Sequence, residues 1–302
     1  MTRAGGVVTG SAGPFAAMLA DGRRLHLQHG PIDLIVEAFG PRASVAEAYR
    51  RAWERFRTIL DELVEELPAL RRPLDEDALS GSVARRMAVA VEPFSGGFIT
   101  PMAAVAGAVA DEVLSEMLPS DLERAYVNDG GDIALFLAPG RRFDVGLVPL
   151  PDRRALLGAA TVGAEDPVRG VATSGRHGRS FSLGIADAAT VLARDAAGAD
   201  AAATVVANAV DLPGHPAIER TPAIELDPDS DLGGRLVTTG VGQLSEGEVA
   251  TALDGGRATA ERLRSDGLIE AAVLCLQGRL AVVGPVIASA RPEIAPLGSG
   301  RG

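Results

Sequence analysis

The sequence predicts an α+β protein, with helices and antiparallel strands in separate stretches of the chain. Three observations lead there. Apolar residues three and four apart recur in long blocks, and short strand-like runs bounded by Gly, Pro, Asn and Asp come in hairpin-spaced pairs. At 302 residues with 47% hydrophobic content, the chain can also bury a large core, as one domain or as two lobes sharing an interface. Segregated helices and strands point to α+β architecture.

Residues 1–22 and 286–302, rich in Gly, Ser and Pro, are expected to be flexible tails around a folded domain of residues 23–285. Residues 24–28 and 32–39 read as two strands around His29, Gly30 and Pro31, an opening hairpin. Ser44 and Glu47 have capping-box spacing. After them Val45, Ala48, Ala52, Phe56, Ile59, Leu63 and Leu67 share one helical face up to Pro68, the predicted stop. Trp53 lies on the same broad face and is read as a packing residue rather than a ring stacked on a ligand. Thr100 and Pro101 suit the N-cap and first turn of a helix over residues 102–118. From Tyr126 a strand, the turn NDGGD, a second strand over 133–138 and a third over 143–148 predict an antiparallel meander. Further strands are expected entering Thr173 and over 188–193, and a second Ala-rich helix over 196–210. Ser245 with Glu248 caps a third helix, and residues 268–283 form a closing hairpin around Gln277 and Gly278.

A formal net charge of −11, with Lys and Arg scattered among Asp and Glu, leaves no basic stripe and excludes nucleic acid as a partner. The single cysteine, Cys275, excludes an intrachain disulfide and any multi-cysteine metal site; within AAVLCLQ it reads as a buried strand residue. Gly and Pro interrupt the N-terminus before a signal-peptide core could form, and no apolar run reaches the roughly 18 residues of a membrane span. A cytoplasmic protein without a membrane partner is the expectation.

Three constellations can carry chemistry. In Asn128-Asp129-Gly130-Gly131-Asp132, the paired glycines reach positive φ and let a ligand approach the backbone, while the flanking side chains bond it or brace the turn. A hairpin turn with no ligand accounts for the same residues. The run from Gly170 to Ser180, GVATSGRHGRS, gathers hydroxyls, glycines and two arginines after a strand, the groups that a pyrophosphate requires. An exposed polar loop is the alternative. His177 lies within this polar motif, whereas His26, His29 and His215 sit beside strands or prolines. Asp200, Thr204 and Asn208 recur at i+4 along the second Ala-rich helix and share a face. Such oxygens suit Mg²⁺ beside a substrate phosphate, or else form a polar stripe facing solvent.

Taken in order, PMAAVAGAVADEV, VNDGGDIAL, GVATSG, ADAATVLA and GADAAATVVANAV resemble the landmarks of the ApbE-like superfamily. Its best-known members are magnesium-dependent FAD:protein FMN transferases. The resemblance covers roughly residues 24–285 and is nearest a branch of uncharacterised function, family 0280. It implies a T-fold-related, two-lobed α+β fold with antiparallel sheets and packed helices. In the transferases that the chain resembles, FAD binds between the lobes and Mg²⁺ bridges its pyrophosphate. A threonine hydroxyl of a target flavoprotein attacks the FMN-side phosphorus, and AMP leaves.

By that resemblance Gly130, Gly131 and Asp132, with Asn128 and Asp129 beside them, contact the flavin nucleotide. Thr173, Ser174 and Gly175 lie beside the phosphates, and Asp200 and Thr204 hold the metal. Ala106, Gly107 and Asp111 line the opposite wall from a turn before the Ala-rich helix. Arg176 and Arg179 are the cations for phosphate, and His177 the candidate base for an acceptor proton. The three polar motifs are thus expected to meet at one cleft.

The chain also departs from the pattern. Where the transferases carry a segment resembling His-Ile-x-Asp-Pro-x-Thr-Gly, it has Phe181-Ser182-Leu183-Gly184-Ile185-Ala186-Asp187-Ala188, with no counterpart of the usual catalytic histidine. The uncharacterised branch tends to carry histidine where this chain has Arg179. The expected function is therefore flavin-nucleotide binding, coupled to Mg²⁺-dependent FMN transfer to a flavoprotein or to cleavage of the FAD pyrophosphate. The alternatives are a noncatalytic flavin carrier or chaperone and a cofactor-pathway enzyme using the same fold on another substrate. A homodimer is compatible with the sequence.

Overall fold

The computed structural model describes residues 13–74, 79–147 and 158–285. In chain order the elements are β1 (Phe15–Met18), β2 (Leu25–His29), β3 (Ile32–Phe39), α1 (Arg42–Leu70), α2 (Ser82–Val91), α3 (Val105–Met117), β4 (Arg124–Asp129), β5 (Asp132–Leu137), β6 (Arg142–Leu147), β7 (Gly158–Gly163), β8 (Gly170–Ser174), β9 (Ala188–Ala193), α4 (Ala196–Ala209), β10 (Ile218–Pro222), α5 (Ala223–Leu226), β11 (Leu236–Val241), α6 (Glu246–Ser265), β12 (Ala271–Leu276) and β13 (Arg279–Val283). Nine strands make one antiparallel sheet in the order β1-β2-β3-β4-β5-β8-β9-β12-β13.

The predicted opening hairpin is present, with Leu25 opposite Val36 and Leu27 opposite Leu34. Alternation turns these leucines and Val36 to one face, where they join Phe56, Ile59 and Leu63 of α1 and Val109 and Val113 of α3 in a first core. Trp53 packs against it. Further along the same face, β8, β9 and β12 meet α4 and α6 in a second core of Val191, Ala203, Val206, Leu253, Leu274 and Leu276. The two lobes are thus two cores along one continuous sheet.

Several details differ from the sequence expectation. Phe15–Met18, placed in the N-terminal tail, pairs with β2, and the Phe15 ring meets His26 edge-on at 6.2 Å. Residues 1–12 and 286–302 lie outside the described residues. Helix α1 starts at Arg42 behind Pro41 with no side-chain cap, because Glu47 is drawn to Arg50 and Arg51 instead. It runs past Pro68 to Leu70, whose full burial holds the final turn. Pro101 opens a 3₁₀ turn before α3, and the Thr100 hydroxyl bonds Asp231 rather than capping. The meander stops at β5, whose free edge is taken by β8. The third expected strand, β6, pairs with β7, and this ribbon lays Val145 and Val162 against Leu135, Leu137, Val171 and Leu192 on the sheet face away from the helices. Elements α2, β7, β10, α5 and β11 were not expected.

The closing hairpin is present, and its turn places Gln277 and Gly278 at positive φ. The Ser245–Glu248 capping box forms at α6, and Cys275 is buried. No helix among the described residues is long and apolar enough to cross a membrane.

Two glycines allow the closest backbone approaches around α4. A Cβ on Gly107 would stand 2.2 Å from the Ala196 carbonyl oxygen, and one on Gly170 2.0 Å from that of Asp195. Gly107→Ala is expected to lower stability by about 2 kcal/mol or more through overpacking. Gly247→Ala, at an exposed position of α6 with open space around it, is expected to be neutral or slightly stabilising. Urea unfolding of both variants checks this, and equal midpoints would contradict the close approach.

Candidate functional site

Helices α3 and α4 cross at their N-terminal ends, where each leaves amides with no partner inside its own helix. Asp111 of α3 accepts the Ala196 amide at 3.1 Å and the Ala197 amide at 2.9 Å. The Asp195 side chain accepts Gly198 at 2.6 Å, and its carbonyl accepts Ala199 at 3.1 Å, so the first four amides of α4 are all satisfied. In return Asp200 of α4 accepts the Gly107 amide at 3.1 Å and that of Ala106, both in the first turn of α3. Each helix thereby places a carboxylate at the positive end of the other.

This arrangement revises the role of one set of residues. Ala106, Gly107 and Asp111 were expected to line a ligand wall from a turn. They lie inside the helix, and both Asp111 oxygens are committed to α4. Burial pushes the Asp111 carboxyl up to about 6, although the two amides oppose the shift.

The clamp sets Asp200 over the turn between β4 and β5. Asp129 and Asp132 face each other across that turn, on the helix-covered side that they share with Val127 and Ala134. Asn128 braces it by accepting the Gly131 amide at 2.8 Å, and Gly130 and Gly131 take φ of +63° and +120°. Asp132 accepts the Thr173 amide at 3.0 Å from β8. The Asp129 side chain is only 6% exposed. Burial lifts it to about 7, against the Arg179 guanidinium and a hydrogen bond donated by the Asp33 backbone amide. Burial also raises Asp132 and Asp200, and the charge of neighbouring carboxylates adds to both shifts. NDGGD, the strand end at Thr173 and the start of α4 therefore lie together, while the rest of the stretch from Thr173 to Arg179, expected at the same cleft, is divided.

The loop after β8 divides. Arg179 turns back over Gly130, where a Cβ would stand 2.1 Å from Nη2. It donates to the Pro31 carbonyl at 3.2 Å and lies 3.5 Å from Asp129 Oδ1. Arg176 points elsewhere, with Nε and Nη2 donating to Asp187 Oδ1 at 2.9 and 2.7 Å, and His177 Nε2 is 3.3 Å from the same oxygen. Asp187 also accepts the Gln277 amide at 2.6 Å, tying this loop to the β12–β13 turn. Arg176 and His177, expected at the site as phosphate cation and base, are thus drawn to a buried carboxylate instead. Gly175, at φ +153°, passes close to the Asp187 carbonyl, 2.7 Å from where a Cβ would be.

The Thr173 hydroxyl bonds Thr190 at 2.8 Å on the face shared with Val171, away from the aspartates, so Thr173 reaches them by its amide alone. Ser174, next along β8, falls on the helix side; its hydroxyl and that of Thr204 have no hydrogen-bond partner among the described residues. The expected i+4 face is not uniform. Asp200 joins the acidic cluster, while Asn208 accepts the Leu183 amide at 3.0 Å and braces a loop. Among the described residues no group of three or more His, Cys, Asp or Glu side chains is arranged to hold a metal ion. A polar depression of about 310 Å³, lined by Phe39, Glu123, Arg124, Gly140, Arg141 and Arg142, lies at the opposite end of β4. Sequence reasoning missed Asp187, Asp195 and Thr190. Only Asp195 carried a signal, as a carboxylate at the N-cap of an Ala-rich helix.

Residues 16–282 match a family model described as AbpE bacteria. The chain belongs to this family. Similar curated proteins include the UPF0280 protein of Archaeoglobus fulgidus, 37% identical over 141 residues that span 47% of this chain and 56% of that protein. The UPF0280 protein of Methanopyrus kandleri is 39% identical over 172 residues, 55% of this chain and 66% of that protein. The match therefore spans about half to two thirds of the length of these relatives. Two solved structures run alongside most of this AbpE family chain. The ApbE protein of Thermotoga maritima is 15% identical, with a TM-score of 0.44 over 89% of this chain and 96% of its own. The flavinyl transferase ApbE of Pseudomonas stutzeri is 13% identical, with a TM-score of 0.39 over 89% and 93%.

The raised carboxyls give a signed pH dependence. Asp129 binds its proton more tightly folded than unfolded, so between about pH 4 and pH 7 the folded state holds more protons. Stability of the ligand-free protein therefore falls as pH rises through that window. Asp200→Asn removes one charge yet keeps an acceptor for the Gly107 amide. The variant is expected to show a shallower fall and a higher midpoint at pH 8 in urea unfolding. A midpoint at pH 8 below that of the unmodified chain would contradict the mutual repulsion.

Proposed function

We propose that this AbpE family chain binds a flavin dinucleotide together with Mg²⁺ at the Asp129–Asp132–Asp200 junction, and acts on the dinucleotide's phosphate anhydride. The observation that carries the reading is the meeting, in one partly buried place, of three carboxylates from segments about seventy residues apart. Arg179 is the cation that faces Asp129 and Asp132 there. A structural turn needs no such accumulation of like charge, which burial makes costly.

The donor set fits Mg²⁺ in a specific way. Asp132 bonds the Thr173 amide through one oxygen, leaving the other for a ligand, Asp200 accepts the Gly107 amide through Oδ2 and also that of Ala106, and the Thr204 and Ser174 hydroxyls have no hydrogen-bond partner among the described residues. Without a full cage of side chains, an ion here would complete its shell with water and phosphate oxygens, as Mg²⁺ commonly does. When bound, the ion would supply charge neutralisation at the pyrophosphate. Asp200, Asp132 and Thr204 would hold it. Ser174 and Arg179 would address the phosphate oxygens, and Gly130 and Gly131 would let the nucleotide approach the backbone. Attack on the FMN-side phosphorus by a hydroxyl, from water or from a threonine of a target flavoprotein, would release AMP.

A second reading, a flavin carrier without turnover, is favoured by one observation. Arg176 and His177, expected as a phosphate cation and as the base for an attacking hydroxyl, are engaged by Asp187. Incubation with FAD and Mg²⁺ separates the two by assay of AMP. The first reading expects FAD affinity of about 1 µM or tighter, Mg²⁺-dependent binding and AMP release. In Asp200→Asn both the Mg²⁺ dependence and AMP release should fall, the latter by about a hundredfold. FAD binding without AMP supports the carrier. Absence of flavin quenching and of calorimetric heat with FAD, FMN and ADP would remove both.

A further inference from the structure

We infer that Arg179 is a resident counter-ion: in the ligand-free protein its guanidinium occupies the cation side of the acidic cluster, and it leaves Asp129 for phosphate when a phosphoanhydride arrives. The inference rests on the cation site proposed above and concerns how that site is regulated.

Four observations carry it. The guanidinium lies close to Asp129, within ion-pair range, and contributes to the charge balance of Asp132 as well. Its approach depends on glycine at 130, since any Cβ there would overlap Nη2. Its anchors among the described residues are weak, one carbonyl of Pro31 at 3.2 Å and one carboxylate oxygen at 3.5 Å, with no bidentate pair. The side chain nevertheless remains 64% exposed, so it can swing outward without uncovering a core. Arg176 offers a contrast within the same loop. It is 21% exposed and bonds Asp187 through both Nε and Nη2.

A guanidinium beside these carboxylates repels an incoming divalent cation and partly neutralises the charge that attracts it. A phosphoanhydride reverses the balance. Its oxygens offer Arg179 a stronger, bidentate partner, and the departing guanidinium takes a competing positive charge away from Asp132, one of the carboxylates proposed to hold the cation. Divalent cation and anionic ligand then bind with positive coupling, and each strengthens the other by the same factor. Neither binds well alone.

The test uses Mn²⁺ and inorganic pyrophosphate at pH 8, above the value to which burial lifts Asp129. Free Mn²⁺ is read by electron paramagnetic resonance in the unmodified chain, Arg179→Gln and Arg179→Lys. With Mn²⁺ alone, Arg179→Gln should bind about tenfold more tightly than the unmodified chain, whereas Arg179→Lys, which keeps the charge, should resemble it. Pyrophosphate should tighten Mn²⁺ binding by at least about fivefold in the unmodified chain, the low end of common coupling, and by much less in Arg179→Gln. Equal or weaker Mn²⁺ binding by Arg179→Gln overturns the inference, as does tightening by pyrophosphate that is the same in both. Flavin plays no part in these measurements, so FAD binding and AMP release with an unchanged Mn²⁺ affinity would leave the proposed function standing while this inference fails. Absence of Mn²⁺ binding in all three proteins would remove the cation site from both.

Discussion

The structure turns on a reciprocal clamp between two helix ends. Asp111 of α3 satisfies the first amides of α4, and Asp200 of α4 satisfies the first amides of α3. The crossing is close because Gly107 and Gly170 present no side chain to Ala196 and Asp195. Neither carboxylate could reach its amides across a wider gap. The same contact fixes α4 against β8 and seals the seam between the two cores. It also determines that one turn further along α4 a carboxylate stands over the β4–β5 turn.

Charge is distributed unequally between the two ends of the clamp. Asp111 serves only the fold; burial raises it, but two amides hold it in place. Asp200 receives amides too, yet it faces Asp132 and Asp129, and all three are pushed toward protonation. A scaffold alone gains nothing from this second arrangement, since an apolar or neutral turn would close the hairpin equally well. The cluster therefore carries a cost in like charge, and the cation and phosphate proposed above would offset it.

Much of this was legible in the sequence. Short strand-like runs located β2, β3, β4, β5, β9 and β12, and glycine-containing turns marked both hairpins. Motif order led to the expectation that NDGGD, residues 173–179 and residues 200–204 share one cleft; the β4–β5 turn, the Thr173 amide and Asp200 lie near one another, whereas Arg176 and His177 are held by Asp187. The rest depended on contacts that one-dimensional pattern does not encode. The strand β6 was expected as the third of the meander, but nothing in its residues said that β8 would take the edge of β5 first. Asp111 and Asn208 looked like ligand and stripe residues because a polar side chain among small ones has no sequence mark for the amide it will accept. Asp187 sits in a loop without periodicity, so its hold on Arg176 and His177 was invisible, and with it the division of the GRHGRS loop between a buried brace and an exposed cation.

The central claim is that the helix clamp sets Asp200 against Asp132 and Asp129 to receive a cation and a phosphoanhydride. Anomalous scattering from crystals grown with Mn²⁺ and FAD tests it most directly. The account predicts a manganese peak within about 2.2 Å of an Asp200 or Asp132 oxygen, given the short bonds of Mg²⁺-like ions, with phosphate density beside it and Arg179 moved off Asp129. A peak bound elsewhere, with Arg179 still against Asp129 and no density over the β4–β5 turn, would contradict it.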